Sequence, residues 1–447
     1  MANTYLTKTF SGSPTSNQKG TESYWFKRSK IGTAQQIGLK TAGSSGTAGG
    51  YFGTNDQFYF YWEHDGSAWD VLQTSRKFRD TSAWYHLLVN WDSTLNTSGD
   101  RIQIWVNGVR ETAFADEVQP AQNETTNLGA AQAHYINTWG TADYFDGLMS
   151  HFYFIDGTAY PASTFGSTDA TTGEWKINTS PTVTMGNNGF TILKDGNTIT
   201  DQSSNSNDWT LGGGTLTKTE DCPSDVFCTL NPLANSQIAG GTFTTGNNTW
   251  QSGNSYYSYM PSTIGVTKGK YYWEVKVSAM TGAEDWHMIG ISSSHPTAST
   301  QYLGNLQYDY SYYGINGNKF TNSTNTGFGN TYAVGDIISV ALDVDNLKIY
   351  FAKNGTWQDS GDPTSGATGT GAAYTIENPT NTLQGCYFPS VCYYDNNTNG
   401  TYQTNFGNGY FGTTAISSEG TNASGIGKFE YNVPTGYTAL STKGLNE

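Results

Sequence analysis

The chain has 447 residues, with 22 Lys plus Arg against 37 Asp plus Glu and a formal charge of −15 at pH 7. That length suits two or three domains, and that charge excludes a surface built to grip nucleic-acid phosphates or an anionic membrane. Charged residues are only 13% of the chain, and Thr, Ser, Asn and Gly together with 30 Tyr, 21 Phe and 13 Trp take their place. These residues are mediocre helix formers but suit pleated, half-buried surfaces, so the expected fold class is all-β, with short strands joined by tight turns.

In chain order, the first strand signals run through residues 20–155. Residues 57–62 alternate aromatics on both faces, 84–91 read as a buried strand, and 101–106 place Ile102, Ile104 and Val106 on one face. Asn107-Gly108 follows, a pair that tolerates the positive φ of a type I′ hairpin turn. Residues 144–155 supply a further strand. A sandwich of two antiparallel sheets is expected here, with the domain placed at 1–165.

From 166 to 240 the pattern weakens into Gly, Asn, Ser and Thr clusters and reads as a connector with short strands, one near 189–193. A second sandwich is expected over 241–411, from strands at 270–277, 288–291, 336–342, 348–353, 387–394 and 402–406, with Asn354-Gly355 closing another hairpin. Residues 412–447 read as a C-terminal extended segment. The opening Met1-Ala2-Asn3-Thr4-Tyr5 lacks signal-peptide regions, and no run of about 18 apolar residues occurs, so neither Sec export nor membrane insertion is expected.

Catalytic motifs are missing from this reading. There is no alternating carboxylate strand of a jelly-roll hydrolase, no Gly-x-Ser-x-Gly elbow, no His-Glu-x-x-His and no complete phosphate loop, so no enzyme is expected. Glu284-Asp285 reads as turn chemistry. The sequence assigns no cofactor. Calcium is the candidate, held by Asp143 and Asp146, while Asp343, Asp345 and Asn346 have the simpler reading of an Asx-rich turn. Cys222, Cys228, Cys386 and Cys392 read as buried or isolated thiols, with a bridge between Cys222 and Cys228 as the alternative.

Aromatic side chains are the main functional resource. Tyr308, Tyr310, Tyr313, Tyr393 and Tyr394 stand as candidate platforms for sugar faces, with Tyr256, Tyr257 and Tyr259 in a similar setting. A basic concentration including Lys27, Arg28, Arg76 and Arg79 is the candidate docking patch for an acidic partner.

The first block resembles a LamG, or concanavalin A-like lectin, domain. The residues that carry the likeness are Tyr24-Trp25-Phe26-Lys27-Arg28-Ser29, Phe78-Arg79-Asp80 with Trp84-Tyr85-His86, Trp105-Val106-Asn107-Gly108, and Tyr144-Phe145-Asp146-Gly147 with Phe154-Ile155-Asp156-Gly157. The arrangement is similar to the LamG modules of marine bacteriophage proteins, and Asp201 to Trp209 looks like the connector those proteins carry. No LamG calcium-ligand motif is matched. The second block resembles a SPRY domain, through Tyr271-Tyr272-Trp273-Glu274, Ile289-Gly290-Ile291, Ser311-Tyr312-Tyr313-Gly314, Gly335-Asp336, Lys353-Asn354-Gly355 and Asn405-Phe406-Gly407. Pro434 to Leu440 looks like the closing segment that follows SPRY in the same phage proteins.

The resemblance implies a non-catalytic bacteriophage virion surface protein, a tail-fibre-like adhesin or capsid decoration, that recognises host-surface glycans. It would be assembled in the host cytoplasm, partnered by other capsid or tail proteins, and homo-oligomeric. A purely structural assembly subunit and, third, a glycan depolymerase are the alternatives. The depolymerase requires two carboxylates about 5 to 10 Å apart in one groove.

Overall fold

The computed structural model describes residues 3–446, apart from 43–46, 65–67, 195, 197, 237–240, 255, 256, 295, 299 and 396. The chain is nearly all β and divides into two compact units, 1–218 and 219–447. Among the described residues no helix is long and apolar enough to cross a membrane.

In the first unit a six-stranded antiparallel sheet has the order Val109–Arg110, Ile102–Val106, Tyr85–Asp92, Lys19–Arg28, Gly147–Asp156 and Phe190–Ile192. A five-stranded sheet runs Phe114–Glu117, Ala68–Lys77, Gln57–His64, Ala48–Phe52 and Gln35–Ile37. The two sheets bury one shared core. Tyr24, Phe26, Leu87, Val89, Ile104 and Phe152 come from the first, and Phe52, Phe58, Phe60, Trp62 and Leu72 from the second. Alternate residues of a strand face opposite ways, so burying Phe58, Phe60 and Trp62 turns Tyr59 and Tyr61 to the outer face. Asn107 and Gly108 both take positive φ, 48° and 77°, in the expected hairpin turn.

The stretch read as a connector is shared between the units. Phe190–Ile192 pairs with Gly147–Asp156, Thr210–Gly213 pairs with Tyr5–Thr9, and Trp209 joins the first core. Phe227, Cys228 and Leu230 instead enter the cores of the second unit. Short polar segments of this kind carry weak periodicity, yet single large side chains anchor them.

The second unit has a nine-stranded sheet centred on Gly400–Asn405, Lys270–Met280, Ile337–Asp343 and Lys348–Lys353. It faces a six-stranded sheet of order Ser258–Pro261, Phe388–Tyr393, His287–Ser292, Asp309–Tyr313, Asn318–Thr321 and Thr324–Gly327. Near the C-terminus, Thr438–Ala439 adds a parallel pairing to Tyr271 and Tyr272. The buried Glu274 carboxylate accepts the N–H groups of Glu430 and Tyr431 at 3.0 and 2.8 Å, fixing the extended tail to the sheet. Asn354 and Gly355 turn with φ of 47° and 79°, again as expected.

Candidate functional site

A cleft of about 380 Å³ opens on the outer face of the five-stranded sheet in the first unit, lined by Ala34, Gln35, Gln36, Tyr51, Tyr61, Trp69, Val71, Trp139 and Asp143. Strand register assembles it. Gln36 stands opposite Tyr51, Tyr61 opposite Val71, and Glu63 opposite Trp69, so five separate chain segments meet on one surface. The loop carrying Trp139 and Asp143 is tied down by Gln36 N–H, which donates to the Asp143 carbonyl at 2.6 Å. Trp139 N–H in turn donates to Ala142 O at 2.9 Å.

The rings form a connected set. Tyr61 lies 5.6 Å from Trp69 and 5.3 Å from Trp139, and 5.8 Å from Tyr51. Both tryptophans are 42% exposed, while Tyr61 is buried beneath them. Large apolar rings half open to solvent on either side of a buried tyrosine make a surface that an amphipathic ring can lie against. Gln36 Nε2 donates to Gly50 O at 2.6 Å and its Oε1 accepts from the Tyr61 hydroxyl at 3.4 Å, which orients the amide at the cleft floor. Burial pushes the Tyr61 phenol well above its ordinary value, so it stays a neutral donor. The Lys40 ammonium sits 4.4 Å from the Trp139 ring centre and donates to Thr41 O at 2.8 Å, and burial lowers it to about 8.

The residues proposed from sequence fall elsewhere, with one exception. Tyr310, Tyr313 and Tyr393 are buried, so they are packing residues and not sugar platforms. Both faces of their sheet are covered: Tyr310 and Tyr393 lie in the core between the sheets, and Tyr313 in an outer cluster with Leu303 and Phe320. Tyr308 is half-buried. Tyr394 is also half-buried and stacks on Tyr257 at 4.6 Å and against Tyr302 at 4.4 Å. Tyr259 is buried, and Tyr256 lies outside the described residues.

The basic patch is a second correction. Lys27 and Arg28 are buried, and Arg28 donates to Asp56 Oδ1 at 3.1 Å and to Phe78 O at 2.7 Å while lying 4.4 Å from the Phe52 ring. Arg76 and Arg79 are exposed, but each meets a carboxylate, Glu111 at 2.7 Å and Asp56 at 3.0 Å. Burial alone would raise the Asp56 carboxyl. The Gly32 N–H and the guanidinium groups of Arg79 and Arg28 outweigh that and hold it below its usual value. These residues form a structural charge network in place of an open docking surface.

Of the candidate calcium ligands, Asp143 lines the cleft, whereas Asp146 is half-buried with its carboxyl raised by burial. Among the described residues no group of three or more His, Cys, Asp or Glu is placed to hold a metal ion. Asp343 accepts from Asn346 N–H at 2.9 Å and Asn346 Nδ2 at 2.8 Å, and meets Lys270 at 3.0 Å, which is the Asx turn. All four cysteines are free, so Cys222 and Cys228 are not bridged.

Residues 2–163 match the family model of the concanavalin A-like lectin/glucanases superfamily, and residues 270–409 match the SPRY domain model. Among solved structures, the chain is similar to the SPRY domain of human HERC1, at 18% identity over 39% of this chain and 96% of that one, with a TM-score of 0.29. A human SPRY domain matches at 17% identity over 37% of this chain and 96% of that one, with a TM-score of 0.27. Stonustoxin matches at 17% identity over 40% of this chain and 27% of that one, with a TM-score of 0.27.

Proposed function

We propose that this chain, a concanavalin A-like domain followed by a SPRY domain, is a non-catalytic glycan-binding protein of a bacteriophage virion surface, with the aromatic cleft of the first unit as its sugar site. The observation that carries the binding is the pair of half-exposed tryptophans, Trp69 and Trp139, set around Tyr61, which the buried Gln36 amide holds in place. Sugars present one apolar ring face and a rim of hydroxyls, and the half-exposed rings of this lining suit the apolar face.

Binding without chemistry is the reading favoured by the carboxylates. Among the described residues lining the cleft, Asp143 supplies the one carboxylate, whereas glycoside hydrolysis uses a pair across the scissile bond. The virion address rests on the sequence resemblance to phage modules. It implies display in several copies, and multivalent display would strengthen weak single-site binding.

The experiment is retention of the purified chain on an array of bacterial envelope polysaccharides, with and without a calcium chelator, scoring chain cleavage in parallel. Retention without cleavage is expected, and so is insensitivity to chelation. Cleavage of the retained glycan would return the depolymerase, and no retention would leave the assembly subunit. Detection of the chain in purified phage particles tests the virion address separately.

A further inference from the structure

The outer face of the five-stranded sheet continues past the cleft. Tyr51 stacks on Tyr59 at 4.6 Å and 13°, and Tyr59 stands opposite Gln73 in the register. Gln73 Nε2 donates to Gln57 Oε1 at 2.6 Å. Asn55 Nδ2 donates to the same oxygen at 2.5 Å and to the Tyr59 hydroxyl at 2.9 Å. All five of these side chains are half-buried, so each keeps a solvent-facing side. Alternate residues share a face at about 3.4 Å per residue, which makes Gln57, Tyr59, Tyr61 and Glu63 a line about 20 Å long, in which Tyr61 and Glu63 are buried and the Glu63 carboxylate is taken up by the Thr47 N–H at 3.0 Å. Trp69, opposite Glu63, closes its far end.

We infer that the cleft and this amide ladder form one groove that takes an internal stretch of an uncharged, linear oligosaccharide. The inference rests on the glycan-binding reading above and adds the length and charge class of the ligand. Length follows from the layout: a single sugar ring at Trp69 and Trp139 leaves the Tyr59 and Gln73 surface unused. Charge class follows from the lining. Asn and Gln amides carry both donors and acceptors, as hydroxyls do. The charged group lining the cleft is the exposed Asp143, and an acidic sugar would bring a like charge beside it. Of the cations near the cleft, Lys40 lies buried against Trp139 and Thr41 O and Arg28 is held by Asp56 and Phe78 O, while along the ladder the exposed Lys77 stands opposite Gln57 and the exposed Asp116 opposite Gln73.

The test is titration of the full chain with cello-, malto-, manno- and chito-oligosaccharides from monomer to hexamer, beside oligogalacturonates of the same lengths. One neutral series is expected to gain about tenfold or more in affinity between monomer and tetramer, the scale of one or two added aromatic contacts. Gln73→Ala is expected to cost the tetramer more affinity than the monomer. Gln73 is a half-exposed surface residue, so this variant folds. Equal affinity for monomer and tetramer, or preference for the galacturonates, overturns the groove and leaves glycan binding standing. No binding of any series overturns the groove, and array retention separately decides the fate of the broader reading.

Discussion

The Tyr61 ring lies 5.3 Å from the Trp139 ring, although 78 residues separate them, because a loop hydrogen-bonded to Gln36 folds back over the outer face of a sheet. A buried phenol thereby supports an exposed indole. This contact joins the strand Gln57–His64, readable in the sequence, to a loop that carried no aromatic pattern of its own.

Replacing Arg28 separates the charge network from a docking role. Arg28→Met leaves Asp56 buried with only part of its compensation, and a loss of about 3 kcal/mol or more is expected in denaturant unfolding. Arg76→Ala removes an exposed pair to Glu111 and is expected to cost at most about 1 kcal/mol. A stable Arg28→Met chain would contradict the structural role.

Glu22 sets a pH dependence. Burial raises its carboxyl to about 8 from 4.5, against the opposing Leu39 N–H bond. Below about pH 4 the group is neutral in folded and unfolded chains alike. As pH climbs through the folded value the unfolded chain releases its proton first, so stability is lost. Glu22→Gln keeps an acceptor for Leu39 N–H and cannot ionise. Its Tm is expected to match the parent near pH 4 and exceed it at pH 8. Buried His86 acts oppositely, since burial lowers it to about 3 and its contribution is lost as pH falls. It is common to both chains and cancels in the difference.

The thiols are countable. Cys222 and Cys386 are half-buried, while Cys228 and Cys392 are buried, with burial pushing Cys392 up to about 12. A thiol reagent under native, non-reducing conditions is expected to modify Cys222 and Cys386 quickly and all four after unfolding. Labelling confined to Cys386 and Cys392 after unfolding would establish the Cys222 to Cys228 bridge instead.

Gly108 is a local test of the first hairpin. Its φ is 77°, and a Cβ there would meet the Trp175 ring at 2.3 Å. Gly108→Ala is expected to lower Tm by several degrees and to release Trp175 from His86, whose Nδ1 now accepts the indole N–H at 3.1 Å. The indole's fluorescence reports that release, and an unchanged spectrum and Tm would contradict it.

Strands and hairpins were legible because their signals are local: period-two alternation, and Asn-Gly at 107–108 and 354–355. The cleft was not, since Gln36, Tyr51, Tyr61 and Trp69 converge only through pairing register and Trp139 only through a loop bonded to Gln36. The alternation at 57–62 marks two aromatic faces without saying which one meets solvent. Tyr310 and Tyr313 misled for a related reason, because their sheet is covered on both faces. Arg28 read as surface charge because its partner Asp56 lies 28 residues away.

Calorimetric titration of the best-retained array glycan into the parent chain and into Trp69→Ala/Trp139→Ala tests whether the cleft is the sugar site. Both side chains are 42% exposed, so the double variant is expected to fold with Tm little changed. Its affinity is expected to fall by about a hundredfold or more, the sum of two aromatic contacts at about 1.5 kcal/mol each. Undiminished affinity in a folded double variant would place the sugar elsewhere and contradict the cleft.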